Sequence, residues 1–267
     1  MNRRCFSVQS VTSDALRPLN YLGRRTARAK GAPDVALGEL VGTVGAGYKN
    51  LFANVDVEPG HGVEVLSQTD MFAAEPSGRH IRRDCLARPE NHLIRKWQIL
   101  IAGAGQMGEG NLFGRSIIAD GRLAGKYVAY HALDVAFPEP GSDVNLYVYA
   151  FLNTLAGLLG VRSCAVGTSV PALRIDLLTS LRVPVPQDES VTGRVASLVR
   201  TAVELREQYL TEMHAARAVI EELAEMRDAR AACFARRAQV AMWRGPLPTL
   251  AAWNFASSGG ALEYLSR

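Results

Sequence analysis

No stretch of this 267-residue chain is long and apolar enough to span a membrane. The longest candidate, residues 146–161, is interrupted by Asn153, Thr154 and Gly157. Met1-Asn2-Arg3-Arg4-Cys5 has no apolar segment behind it, so no secretory signal is expected. Cysteine is scarce: Cys5, Cys85, Cys164 and Cys233 stand without pairing or ligand spacing. That excludes a disulfide framework and a zinc site, and it predicts reduced thiols in a cytoplasmic protein. The histidines (His61, His80, His92, His131, His214) are dispersed, with no H-x-x-x-H or H-E-x-x-H spacing, and no serine lies in a G-x-S-x-G turn. No catalytic residue and no metal ligand set is therefore assigned.

What is present is a globular composition, 48% hydrophobic and 21% charged, which is enough to build a core. The net charge of +4 is unevenly placed. Residues 1–187 carry 20 Lys and Arg against 16 Asp and Glu, whereas residues 188–239 carry 8 against 9. Two basic clusters account for this, residues 3–30 and residues 79–96, and a pair of them in one domain makes a polyanion a reasonable partner.

From residue 35 to about residue 140, short apolar runs are cut by Gly, Pro and Asn, which predicts strands at 35–40, 63–66, 98–102, 116–119 and 127–132. Residues 143–160 read as one buried helix, capped by Ser142 or Asp143 and stopped by Gly160. A Gly/Ser/Pro loop follows at residues 167–173. Val183-Pro184-Val185-Pro186 then ends the domain in an extended segment, because each proline removes a donor and biases its predecessor away from helix.

Beyond Pro186 the register is helical. Val191, Val195, Leu198, Ala202, Leu205, Tyr209, Glu212, Ala216, Val219, Leu223, Met226, Arg230 and Cys233 step by four and three, a coiled-coil seam over residues 188–239. Such a helix would be roughly 75 Å long and calls for a partner helix. The three expected regions are a domain at 1–187, a long coiled-coil helix at 188–239 and a tail at 240–267. The tail, from Phe255, echoes the opening Phe6-Ser7-Val8 through Tyr21-Leu22-Gly23-Arg24, as if a second copy were beginning.

Gly103-Ala104-Gly105-Gln106-Met107-Gly108 has the spacing of a dinucleotide-binding turn after the apolar run Ile99-Leu100-Ile101. A fingerprint of that kind needs a helix to aim its N–H groups at pyrophosphate. Here Glu109-Gly110-Asn111-Leu112-Phe113-Gly114 follows, a poor helix former, and no acid is placed for a ribose. The glycines are expected to shape a loop; the alternative is a nucleotide-dependent oxidoreductase using Gly103 to Gly108.

The ordered series "WQILIAGAGQMG", "GKYVAYHALDVAFPEPGSDVNLYVYAFLNTLAGLLG", "SCAVGTSVPALRIDLLTSLRVPVPQ" and a heptad helix resembles the DNA-specificity subunit of type I restriction-modification systems, the HsdS-like proteins, over about residues 10–239. The resemblance implies an α+β fold: a mixed α/β target-recognition domain followed by a long coiled-coil helix that sets target spacing. It implies double-stranded DNA as ligand and methyltransferase (M) and restriction (R) subunits as partners. It also implies no cofactor on this chain, S-adenosylmethionine being held by the methyltransferase subunit. The family's complete subunit carries two such halves, so a truncated chain or a homodimerising half-subunit is expected. Reading a duplex requires cations for phosphates and polar loop side chains for base edges. The base-contact candidates are Gln106, Asn111, Arg115, Thr168 and Ser169; the phosphate candidates are Lys49, Arg79, Arg82, Arg83 and Lys126. A coiled-coil assembly protein without DNA binding is the further alternative.

Overall fold

The computed structural model describes residues 32–47, 55–87, 89–106, 108, 110–129, 131–167 and 170–222. The basic cluster at 3–30, Lys49, Thr168, Ser169, the seam beyond residue 222 and the tail at 240–267 lie outside the described residues. The chain divides into two compact units, residues 1–207 and 208–267.

In chain order, the first unit contains β1 (Asp34–Ala36), α1 (Leu37–Leu40), β2 (Thr43–Ala46), β3 (Val63–Leu66) and β4 (Arg79–Ile81). Next come β5 (Ile99–Ala102), β6 (Ser116–Ile118), β7 (Tyr127–Val128) and β8 (Ala132–Ala136). Then follow α2 (Asp143–Leu152), α3 (Leu155–Arg162), β9 (Ala165–Val166), β10 (Ala172–Leu173), α4 (Ile175–Thr179) and β11 (Arg182–Pro184). The long helix α5 (Glu189–Glu221) enters the second unit after residue 207.

The apolar run before the glycine motif organises the core. All four residues of β5 are buried, as a strand covered on both faces requires. β5 lies inside an antiparallel sheet of order β2-β8-β5-β6. Ile99 and Ile101 face a cluster with Val148, Phe151 and Leu152 of α2, Val161 of α3 and Val183 of β11. Leu100 and Ala102 face Leu66, Met71, Ile94, Leu123 and Val128 on the other side. A second sheet, β4-β3-β7, pairs β3 with β7 in parallel.

β1 pairs antiparallel with β11, and Val185 N–H donates to the Pro33 carbonyl. The beginning of the described domain is thereby tied to its end, just before α5. The prolines predicted to end the domain do so on an edge pair, where a missing donor is tolerated.

Three expectations are corrected, the first being that residues 127–132 form one strand: β7 ends at Val128 in one sheet and β8 begins at Ala132 in the other. Residues 143–160 are not one helix: α2 ends at Leu152, α3 runs to Arg162, and the two axes bend by 79°. Thr154 causes the break, since its Oγ1 accepts from Gly157 N–H and donates to the Phe151 carbonyl, capping α3 within the apolar run. Gly157 makes the corner possible, because a Cβ there would sit 2.1 Å from the Phe151 oxygen. The predicted cap at Ser142 is present, accepting from Asn145 N–H. Residues 35–40 are also not one strand: β1 gives way at Leu37 to α1, whose Leu37 N–H donates to the Leu181 carbonyl.

The helical register carries two stripes. Thr192, Ala196 and Val203 are buried, and Ala196, Val199 and Val203 pack on Ile118, Leu146, Trp97 and Tyr149. The predicted seam lies one residue away: Val191, Leu198, Ala202 and Leu205 are exposed, and within the second unit Tyr209 and Val219 are exposed too. Periodicity alone does not reveal that the domain takes the neighbouring stripe first.

Polar contacts reinforce this attachment. Asp120 is fully buried and receives Arg122 from its own loop and Arg206 from α5, at 2.8 and 3.2 Å. Glu207 accepts from Gly121 N–H at 2.7 Å and pairs with Lys96 at 3.0 Å. Arg200 donates to the Gly141 carbonyl and to Asp143. Trp97, held at φ +74°, presses its ring on Gly141 while the Lys96 ammonium lies 5.2 Å from the ring centre.

Candidate nucleic-acid interface

The glycine motif leaves β5 as a loop. Gly103 is required by close approach, because a Cβ would lie 2.6 Å from the His131 carbonyl, to which Gly103 N–H donates. Gly114 closes the loop at φ +78°, its N–H donating to the Ala102 carbonyl. No described residue between Gly103 and Arg115 is helical. The N–H array that a pyrophosphate would need is therefore not offered there, in keeping with a loop and against the oxidoreductase alternative.

Instead, this loop is clamped by side chains from elsewhere. Gln68 makes a reciprocal pair with Ala104, donating Nε2 to its carbonyl at 2.9 Å and accepting its N–H at 3.2 Å. Gly105 N–H donates to the Pro171 carbonyl, and Leu173 N–H donates to the Gly103 carbonyl. These bonds set the loop beside Pro171 and Leu173. At the far end Arg162 donates to the carbonyls of Phe113, Gly108 and Asn111 at 2.9, 3.0 and 3.1 Å.

Gln106, Asn111 and Arg115 are exposed on this loop and its exit, and Arg115 Nε donates to the Asn111 carbonyl. Arg115 and Arg162 thus share one acceptor. Burial, followed by repulsion from Arg115, lowers the Arg162 pKa from the ordinary guanidinium value. Thr168 and Ser169 lie outside the described residues.

The predicted phosphate residues gather elsewhere, around β3, β4 and β7, and most already have partners. Arg79 pairs with Asp56 at 2.8 Å and Arg82 with Asp84 at 2.7 Å; all four side chains are exposed. Each arginine's hydrogen bonds hold its carboxyl below the usual range. Lys126 is half-buried, donating to Glu64 at 3.0 Å and to the Pro76 carbonyl at 2.6 Å. Arg83 differs: it is exposed, makes no ion pair among the described residues, and lines an open cleft of about 480 Å³ with His80, Glu64, Glu90 and Tyr127. Lys49 lies outside the described residues.

Sequence reasoning missed Arg162 and Gln68. A signal for Arg162 was there, since it is the only Asp, Glu, Lys or Arg in residues 144–173. Gln68 gave none, because its partner is 36 residues away. Among the described residues no group of three or more His, Cys, Asp or Glu could hold a metal ion, and no single helix is long and apolar enough to cross a membrane.

These features describe an α+β domain with clamped, polar loops, mounted on a long helix. No family model and no curated protein matches the chain. Among solved structures it is similar to the S subunit of a type I restriction-modification system from M. genitalium, with TM-score 0.50 and 14% identity over 76% of this chain and 47% of that one. It is also similar to the HsdS subunit from Thermoanaerobacter tengcongensis, with TM-score 0.41 and 13% identity over 72% and 44%. A chain from a structure describing complex assembly and conformational transition of a type I R-M system gives TM-score 0.35 and 13% identity over 81% and 52%. The fold is similar to that of the M. genitalium S subunit, and the chain spans about half the length of the structures it matches.

Proposed function

We propose that this chain reads a specific sequence in double-stranded DNA as the specificity subunit, or half-subunit, of a type I restriction-modification complex. In this reading it directs methyltransferase and restriction subunits in the cytoplasm and is itself non-catalytic, S-adenosylmethionine being bound by the methyltransferase. The observation that carries the reading is the pairing of an S-subunit fold with a helix whose apolar stripe at Val191, Leu198 and Leu205 is left exposed after the domain has taken its own stripe. A second copy, its helix antiparallel, would cover that stripe and place two heads at a fixed separation.

Gln106, Asn111 and Arg115, with Thr168 and Ser169, are the side chains we assign to base edges. Arg83 is the principal phosphate contact, with Lys49, Arg79, Arg82 and Lys126 in support. A coiled-coil assembly protein that does not bind DNA stays in contention on one specific observation: Arg79, Arg82 and Lys126 are each already partnered by a carboxylate.

Duplex binding across a salt series separates the two. Affinity is expected to fall steeply with salt, with a log–log slope set by the number of phosphate contacts. Arg83→Glu is expected to weaken binding to all sequences and to flatten that slope by roughly one or more contacts. Absence of duplex binding, even with a methyltransferase subunit added, would favour the assembly reading.

A further inference from the structure

Arg162 has no role in the assignments above, yet its placement is unusual. It is the lone charge of a 30-residue apolar stretch, residues 144–173. It sits half-buried in the last turn of α3, and none of the ion pairs among the described residues gives it a carboxylate. A partly desolvated guanidinium beside another arginine is costly unless its donors are well used. Here they are directed at one object: three carbonyls of a single loop, spanning Gly108 to Phe113. A planar fork of fixed donors suits that task, and an ammonium does not.

The same loop is gripped at its other end by Gln68, whose amide satisfies both backbone groups of Ala104. Between the two clamps stands the exposed side chain of Gln106, with that of Asn111 on the span held by Arg162 and Arg115 at the exit. Discrimination among base pairs depends on donors and acceptors held in register, whereas attraction to phosphates tolerates motion.

We infer that Arg162 and Gln68 are positioning residues for sequence discrimination: they fix the 103–115 loop so that its side chains meet base edges in one register, without touching DNA themselves. The inference rests on the DNA-reading function proposed above and assigns that discrimination to two residues outside the contact set.

The test is selection of bound duplexes from a randomised pool by the full chain and by Arg162→Met, Arg162→Lys and Gln68→Ala, with binding to non-enriched duplex, salt slope and thermal midpoint measured alongside. Each variant is expected to lose at least tenfold of the wild-type preference for its enriched sequence, while affinity for non-enriched duplex and the salt slope stay within about twofold. Arg162→Lys keeps the charge but not the fork, so it should behave as Arg162→Met does. A purely structural role would lower the thermal midpoint and the amount of active protein but leave the preference of the active molecules intact. Gln68→Ala supplies the answer if the Arg162 variants fold poorly, since it loosens the loop from the opposite side. Preference retained in Arg162→Lys, or in Gln68→Ala, overturns the inference alone. A wild-type chain that enriches no sequence overturns the DNA-reading function and the inference together.

Discussion

Asp120→Ala is expected to lower stability by about 3–5 kcal/mol, a fall of roughly 6–20 °C in the thermal midpoint for a domain of this size. Asp120 is fully buried and is the common acceptor for Arg122 and Arg206, whose side chains are 9% and 29% exposed. Removing the carboxylate leaves two guanidiniums facing each other with no opposite charge between them. Arg122 is the more damaging of the two, because it is the more buried and only its Nη1 has other acceptors, the Ala73 and Ala74 carbonyls. Arg206→Met should be milder, about 1–2 kcal/mol, since Asp120 keeps Arg122 and its backbone contact with the Arg122 N–H. Thermal unfolding of the two variants orders the effects. Equal losses would mean that the ion pair to α5, rather than the buried charge, is the important element.

Leu198→Glu combined with Leu205→Glu is expected to leave the fold intact and to abolish the self-association proposed above. Leu198 and Leu205 are 73% and 58% exposed, so neither contributes to the core of its own chain. In a pair of helices each would be buried, at about 1.5–3 kcal/mol per leucine in each copy. Four carboxylates forced into that seam should weaken a dimer by well over a hundredfold. Val203→Glu, two residues from Leu205 but only 1% exposed, should instead unfold or strongly destabilise the domain. Sedimentation equilibrium with circular dichroism distinguishes these outcomes. A double variant that stays associated would show that the exposed stripe is not the contact between copies.

The contrast between Leu205 and Val203 also shows what the sequence could and could not convey. Period and length announce a long helix, and four consecutive apolar residues at Ile99–Ala102 announce a central strand, because both signals are local. The glycines after β5 are legible as a loop because Gly110, Asn111 and Gly114 disfavour a helix there. The choice of stripe is not legible, as it depends on Ile118, Leu146 and Trp97 arriving from other elements. The break between α2 and α3 is hidden for a related reason: Thr154 lies in an apolar run and acts as a cap only once the chain turns.

The candidate site divides along the same line. Loop residues of suitable type can be chosen from sequence, and Gln106, Asn111 and Arg115 do fall on one exposed loop. Charge availability cannot be chosen this way. Arg79 finds Asp56 across 23 residues and Lys126 finds Glu64 across 62, so a basic cluster in the sequence becomes a set of ion pairs in space. Arg162 is marked in the sequence only by its isolation in an apolar stretch; its task is not legible there, because its acceptors are backbone carbonyls.

A DNA-reading head carried by a helix that pairs with another helix is tested most directly by the form of the selected sequence. Duplexes recovered from a randomised pool by the full chain should contain two short defined blocks separated by an unread spacer of constant length. The blocks should be inverted copies of each other if two copies of this chain assemble. A single uninterrupted block, or two blocks at variable separation, would contradict it.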